Sequence, residues 1–313
     1  LTVDGAVAQD AQIAPKDTTD YQSFMGAQVV TLSAASHTLN LDYASSNASG
    51  TAYIRNARIV AIRKASLEMA GADQGDTPAN LTTTMTNYAT ATWTPSTTGD
   101  YLLITSASFN GATTSYSTSL NAVFNAMVLD DCNVTASNTG NWQTFIFFKT
   151  ASCDGGVQQN LSMAAAKESG SAATHQIKRA RAIAIRLTGG RFSGYQYLRA
   201  ATEQTTTSTS WVQAGTKSWS VGTAANWLLL TSWRFTNTST SYSVEAQEQL
   251  DNSITMASPM QRPQRTTDYL NAACIDVRNL ATGTRVLDVD YRTKNAAGTA
   301  KIKYVFFVGL PLE

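Results

Sequence analysis

The side chains able to do chemistry are few and scattered. His37 and His175 stand at no metal-ligand spacing from each other or from a cysteine, and their repeat counterparts are not histidine. Each reads as a surface or turn residue. Cys132, Cys153 and Cys274 form an odd, sparse set rather than a disulfide framework. No Cys-x-x-Cys pair or Cys/His group supports zinc. Cys132 and Cys153 either pair with each other or, like Cys274, stay buried as free thiols. The densest acidic groups are Asp130-Asp131 and Asp288/Asp290, with Asp42 standing opposite Asp290 in the repeat. They read as hydrogen-bonding residues of turns. The alternatives are a loop calcium site and a paired-carboxylate hydrolase, but a catalytic pair would not belong to both copies of a repeat. No nucleophile elbow, phosphate-binding loop or dinucleotide fingerprint is present. No residue is therefore assigned a catalytic, cofactor-binding or metal-ligating role, no cofactor is expected, and the chain reads as a non-enzyme.

Two basic groups, Arg55/Arg58/Arg63 and Lys178/Arg179/Arg181/Arg186, interleave with Ile and Ala instead of lining one exposed face with aromatics. They read as local salt bridges or as cations solvated at the sheet ends. A net charge of +1 argues the same way, because a phosphate-binding surface needs a concentrated excess of Lys and Arg. No nucleic-acid partner is expected. No run of 18 apolar residues occurs, so no membrane span is expected. Trp93, Trp219 and Trp227 fall at repeat-equivalent or core positions, whereas Trp142, Trp211 and Trp233 are less constrained. An exposed tryptophan or tyrosine would stack on a sugar, which keeps a carbohydrate-binding lectin or adhesin open as an alternative.

The elements that must hold these residues follow from composition and repetition. In 313 residues, 14% are charged and 44 are Thr; Ser and Thr together approach a quarter of the chain. The length suits two or three domains. Leu39–Ile54 matches Leu287–Ile302 without a gap, with 9 of 16 identities, and Thr18-Thr-Asp-Tyr21 matches Thr266-Thr-Asp-Tyr269 at the same offset. Ile54–Arg63 aligns with Ile177–Arg186. A second unit, Trp93–Ser117, aligns with Trp219–Ser243 with 11 of 25 identities. The order is B-A-B-A-B in a repeat of about 123 residues, with B near 1–65, 140–188 and 262–313, and A near 66–139 and 189–261.

Thr, Val, Ile and aromatic residues crowd short runs between Gly, Asn, Asp and Ser, which predicts strands and turns rather than helices. Asn110-Gly111 predicts a hairpin turn. Tyr101–Ser106 and Trp227–Ser232 predict strands buried on both faces. In the last B strand, period-two counting puts Ile54, Val60 and Ile62 on one face, with Ile177, Ile183 and Ile185, then Ile302, Val308 and Leu310 in the other copies. Ala57, Ala61 and their counterparts take the other face. A plus B gives some eight strands, enough for one β-sandwich or jelly roll. The fold class is thus all-β, with tandem sandwiches at 66–188 and 189–313. Residues 1–65 are a half-repeat, expected to be completed by another segment or chain.

This pattern resembles the tandem jelly-roll, TNF/C1q-like virion surface proteins of tailed phages. It runs from an aromatic strand (Trp93…Gly99-Asp-Tyr-Leu-Leu-Ile) through an alternating Thr/Ser strand and a polar hairpin to Gly-Thr-Ala-x-Ile-x-x-Ala-x-Ile. The resemblance implies a decoration, head-fibre or tail-associated subunit on an extracellular particle. It also implies homo-oligomers or contacts with other virion proteins, and no catalysis.

Overall fold

Strand-forming residues dominate, and strands account for all the regular structure described. A computed structural model describes residues 1–8, 10–12, 20–63, 67–136, 138–189 and 192–312. Thr18 and Thr19 of the repeated tetrapeptide, and the 65/66 boundary, lie outside the described residues. Three short strands come first: β1 (Thr2–Val3), β2 (Ala6–Val7) and β3 (Leu39–Asn40). Then follow β4 (Met69–Asp73), β5 (Ala79–Asn80), β6 (Thr86–Trp93), β7 (Gly99–Gly111), β8 (Ser117–Phe124), β9 (Met127–Thr135), β10 (Gln143–Cys153), β11 (Gln159–Lys167) and β12 (His175–Arg186). The last group is β13 (Gln196–Ala200), β14 (Gln204–Thr206), β15 (Val212–Val221), β16 (Ala225–Asn237), β17 (Val244–Leu250), β18 (Ile254–Ala257), β19 (Met260–Gln261), β20 (Leu270–Leu280), β21 (Gly283–Thr293) and β22 (Ala300–Leu312).

Pairing is nested and antiparallel. β4 pairs with β12, β6 with β11, β7 with β10, and β8 with β9. The resulting sheets run β10-β7-β12-β4 and β6-β11-β8-β9. First-with-last pairing folded into two facing sheets is a jelly roll. Strands β13–β22 repeat it, with sheets β13-β22-β16-β20 and β15-β21-β17-β18. The chain is an all-β tandem jelly roll.

Each sandwich has its own apolar interior. Tyr101, Leu103, Phe109, Phe145 and Leu161 fill the first; Trp219, Leu229, Phe235, Tyr291 and Phe307 fill the second. A third apolar layer lies between the sandwiches. Leu102, Ile104, Ile146, Phe148, Ile183 and Ile185 of one sheet meet Leu228, Leu230, Phe306, Val308 and Leu310 of the other. Sheets β10-β7-β12-β4 and β13-β22-β16-β20 are therefore buried on both faces. This accounts for the continuous apolar runs at Tyr101–Ile104 and Trp227–Leu230.

Three expectations are corrected here. Ile177 does not share a face with Ile183 and Ile185. It lies inside the first sandwich, and they lie in the layer between sandwiches. The reason is a β-bulge between Lys178 and Arg181, with Arg179 at φ +51°. One extra residue exchanges the faces of everything beyond it. Tyr304 at φ +52° does the same in β22, separating Ile302 from Val308 and Leu310. Secondly, Asn110-Gly111 makes no hairpin: both residues continue β7, opposite Gln176 and His175, and the chain then crosses to the other sheet. Thirdly, residues 54–62 form no ladder, although their counterparts are β12 and β22.

Candidate assembly surfaces

The titratable residues are built into the packing. His175 is fully buried in β12, contrary to its expected surface or turn position. Its ring sits between Thr118 Oγ1 at 2.9 Å and Ser171 Oγ at 3.2 Å, and burial holds its pKa below the ordinary value. Strand periodicity places it inward, and two hydroxyls satisfy both ring nitrogens. His37 lies near a surface turn, 2.7 Å from Asp4. Cys132, Cys153 and Cys274 are buried free thiols. Burial pushes Cys132 and Cys153 up to about 12 and Cys274 well above its ordinary range, so none is a thiolate at neutral pH.

The acidic groups separate by environment. Asp130 is buried and paired with Arg234, which is itself fully buried. Burial, opposed by Arg234, pushes the Asp130 carboxyl up to about 6. The guanidinium also donates to Asn271 Oδ1 and to the Ile146 carbonyl, and it lies 4.6 Å over the Phe145 ring. This ion pair ties β16 of the second sandwich to β9 and β10 of the first. The sequence reading overlooked it; the available signal was a lone Arg inside Trp233-Arg-Phe235 where the first copy has Ser108. Asp131 receives Lys303 at 3.4 Å and Tyr304 Oη at 2.8 Å, again across the junction. Asp288 and Asp290 lie on strand β21 rather than in a loop, bonded to Gln213 at 2.9 Å and Gln247 at 3.2 Å. Glu248 is fully buried beside Thr231 and Cys274, and burial pushes it up to about 7. No group of three or more metal-type ligands occurs among the described residues.

Five of the seven residues in the two basic groups are engaged in ion pairs. Arg179 and Lys178 meet Asp10 and Asp76, Arg181 meets Asp73 at 2.8 Å, Arg186 meets Glu68 at 2.7 Å, and Arg58 meets Asp276 at 3.0 Å. None of the six tryptophans is exposed. Trp142 and Trp211 are half-buried, and a cation covers each ring: Lys178 at 4.5 Å and Arg292 at 4.1 Å. By contrast, residues 29–62 expose Val29, Val30, Leu32, Tyr43, Tyr53, Ile54, Ile59 and Ile62. Among the described residues the other exposed large apolar side chains, Met127, Val128 and Tyr197 among them, are scattered over the rest of the chain.

No family model matches the chain, and no curated protein matches it. Among solved structures, it is similar to one in Sulfolobus turreted icosahedral virus, at 10% identity and TM-score 0.24, covering 75% of this chain and 60% of that one. It is also similar to one in the T13 particle of IBDV, at 10% identity and TM-score 0.28, covering 83% of this chain and 44% of that one. The chain thus spans less than two thirds of either. A third similar structure is the tandem CBM22-1-CBM22-2 domain of Paenibacillus barcinonensis Xyn10C, at 9% identity and TM-score 0.23, covering 79% and 98%.

Proposed function

We propose that this chain is a non-enzymatic structural subunit of an extracellular assembly, namely a surface protein of a phage virion acting through protein–protein interfaces. One observation carries the reading: half of the exposed large apolar side chains among the described residues fall within residues 29–62, outside the two closed sandwiches. Contiguous exposed apolar surface on a chain with well-filled cores marks a contact with other protein. The same economy runs through the polar groups, whose buried carboxylates and cations fasten one sandwich to another. Antibody raised against the purified protein would be imaged by immunogold microscopy on particles from the source culture. Gold on the outer surface of the particles is expected. Label confined to cells or to free protein would overturn the reading. A glycan array run on the same preparation would expose the lectin alternative, for which the tryptophans are covered but Tyr43, Tyr53 and Tyr197 are exposed.

A further inference from the structure

Residues 1–8, 10–12 and 20–63 repeat, joint for joint, the contacts that the two sandwiches make with each other. The second sandwich docks on the first where the chain enters β20. There Tyr269 N–H donates to the Asn133 carbonyl at 2.9 Å, while Lys303 lies 4.2 Å over the Tyr269 ring and reaches Asp131 at 3.4 Å. The first sandwich makes the same joint where the chain enters β10. Trp142 O accepts from Gln12 N–H at 2.8 Å, while Lys178 lies 4.5 Å over the Trp142 ring and 3.1 Å from Asp10. The joint occurs a third time. Tyr21 and Met260 exchange backbone hydrogen bonds of 2.8 and 3.1 Å, while Arg55 lies 3.8 Å over the Tyr21 ring and bonds the Ser258 carbonyl. Tyr269, Trp142 and Tyr21 occupy one repeat position; so do Lys303, Lys178 and Arg55, and so do Asp131, Asp10 and Ser258. The joints therefore close a ring: second sandwich on first, first on residues 10–12, and residues 20–63 on second.

Three further observations place the N-terminal residues in a third position of that ring. The small sheet β2-β1-β3 has the order of β9-β8-β11 and β18-β17-β21, with Val3 opposite Leu39 as Phe124 is opposite Leu161 and Leu250 opposite Leu287. Its hairpin tip, Asp4-Gly5, has positive φ, as do Asn125-Ala126 and Asp251-Asn252. Met25, Ala27 and Val60 enter the central apolar layer, where Ile146, Phe148 and Ile183, and Ala273, Ile275 and Val308, stand at the same repeat positions. Asn56 keeps φ +54°, the bulge conformation of Arg179 and Tyr304, without any ladder around it.

The missing ladder has a topological cause. In both sandwiches the last three strands pair only with strands of the preceding half: β10 with β7, β11 with β6 and β8, and β12 with β7, β4 and β5. Three such strands alone have no partner among themselves. So Ile54 is 41% exposed where Ile177 and Ile302 are fully buried, and Tyr43 is 61% exposed where Tyr291 is buried.

We infer that residues 1–8, 10–12 and 20–63 are the resident part of a third jelly roll in a pseudo-threefold ring, and that they take one occupant: an A-type half-sandwich with the strand pattern of residues 69–121. A helix or a lipid surface would cover the apolar side chains but leave the strand amides unpaired. A second copy of these 313 residues would have to open one of its own sandwiches, because both of its A-type halves already hold their three strands.

The test compares hydrogen exchange in the unmodified chain with that in a chain carrying a copy of residues 67–121 joined ahead of Leu1, the junction that continues the β8 pattern into β1. In the unmodified chain, amides 41–45 and 52–62 are expected to exchange at near-peptide rates. In the extended chain they should slow at least 100-fold, and Ile54→Asp should restore fast exchange. Protection equal to that of β12 in the unmodified monomer would overturn the inference. So would fast exchange in an extended chain whose β7, β12, β16 and β22 are protected. If the extended chain fails to fold, three crosslinks in the unmodified chain still decide the ring. Paired cysteines at Asn133 and Tyr269, at Gln12 and Trp142, and at Tyr21 and Met260 should each form a disulfide within one chain. Formation of the first alone would overturn it.

Discussion

At the scale of single residues, the buried charges carry the sharpest consequences. Glu248 is held protonated by burial, at about 7 against 4.5 for an ordinary glutamate. Between those values the folded chain binds a proton that the unfolded chain has lost. Unfolding then releases a proton, so stability falls as pH rises through this window and levels off above about 7. Glu248→Gln should flatten that slope and, at pH 8, stabilise the protein by roughly 1–3 kcal/mol; Tm measured from pH 4 to 8 checks both. Arg234 carries the opposite risk. Arg234→Ala leaves Asp130 buried without its cation and should cost about 3–5 kcal/mol in urea unfolding. Arg234→Met combined with Asp130→Leu should recover most of that loss, since two apolar groups of similar volume leave no charge behind. The three cysteines should react with a thiol reagent only after denaturation, because each is a buried, protonated thiol.

At the scale of the element, the bulge in β12 decides which face meets which layer. Period two holds on either side of Arg179, and the extra residue there turns Ile183 and Ile185 outward while Ala182 and Ala184 line the sandwich interior. Deleting Arg179 should reverse this, driving two isoleucines into space shaped for alanines and two alanines into the central layer. The expected outcome is loss of near-ultraviolet circular dichroism and of a cooperative melt. Asn110-Gly111 misled for a related reason. Its dipeptide chemistry suits a tight turn, yet β7 and β8 belong to different sheets, so the reversal is a five-residue crossing rather than a hairpin. Strands, their approximate limits and the both-face burial of Tyr101–Ile104 were legible because local composition reports burial. The bulges were not, because a positive φ at Arg or Tyr leaves no mark on a residue pattern.

At the scale of the whole molecule, the two sandwiches are one cooperative body. A shared apolar layer and a fully buried ion pair join them, unlike the polar contacts typical of loosely linked domains. Calorimetry should therefore show a single transition. Ile183→Asp or Leu230→Asp would bury a charge in the shared layer and should split that transition into two, each sandwich keeping its own interior. The exposure of Tyr43, Ile54, Ile59 and Ile62 follows from the same architecture, since their counterparts Tyr291, Ile302, Phe307 and Leu310 are buried in strands that pair with a preceding half.

The strand-and-turn class and the internal repeat were legible in the order of residues alone. That order determined, too, the equivalence of Leu39–Ile54 with Leu287–Ile302, because alternation and gapless identity are local properties of a chain. It also pointed to the engagement of Arg58, Arg181 and Arg186 in ion pairs, since cations spaced among Ile and Ala cannot share one wet face. That Ile177 and Ile183 serve different layers, that Arg234 meets Asp130, and that His175 lies between two hydroxyls emerged only from the folded chain. These depend on bulges, on nested pairing and on contacts between residues more than a hundred positions apart. A residue's neighbours in a jelly roll are chosen by strand order, and strand order is settled when the two halves fold together.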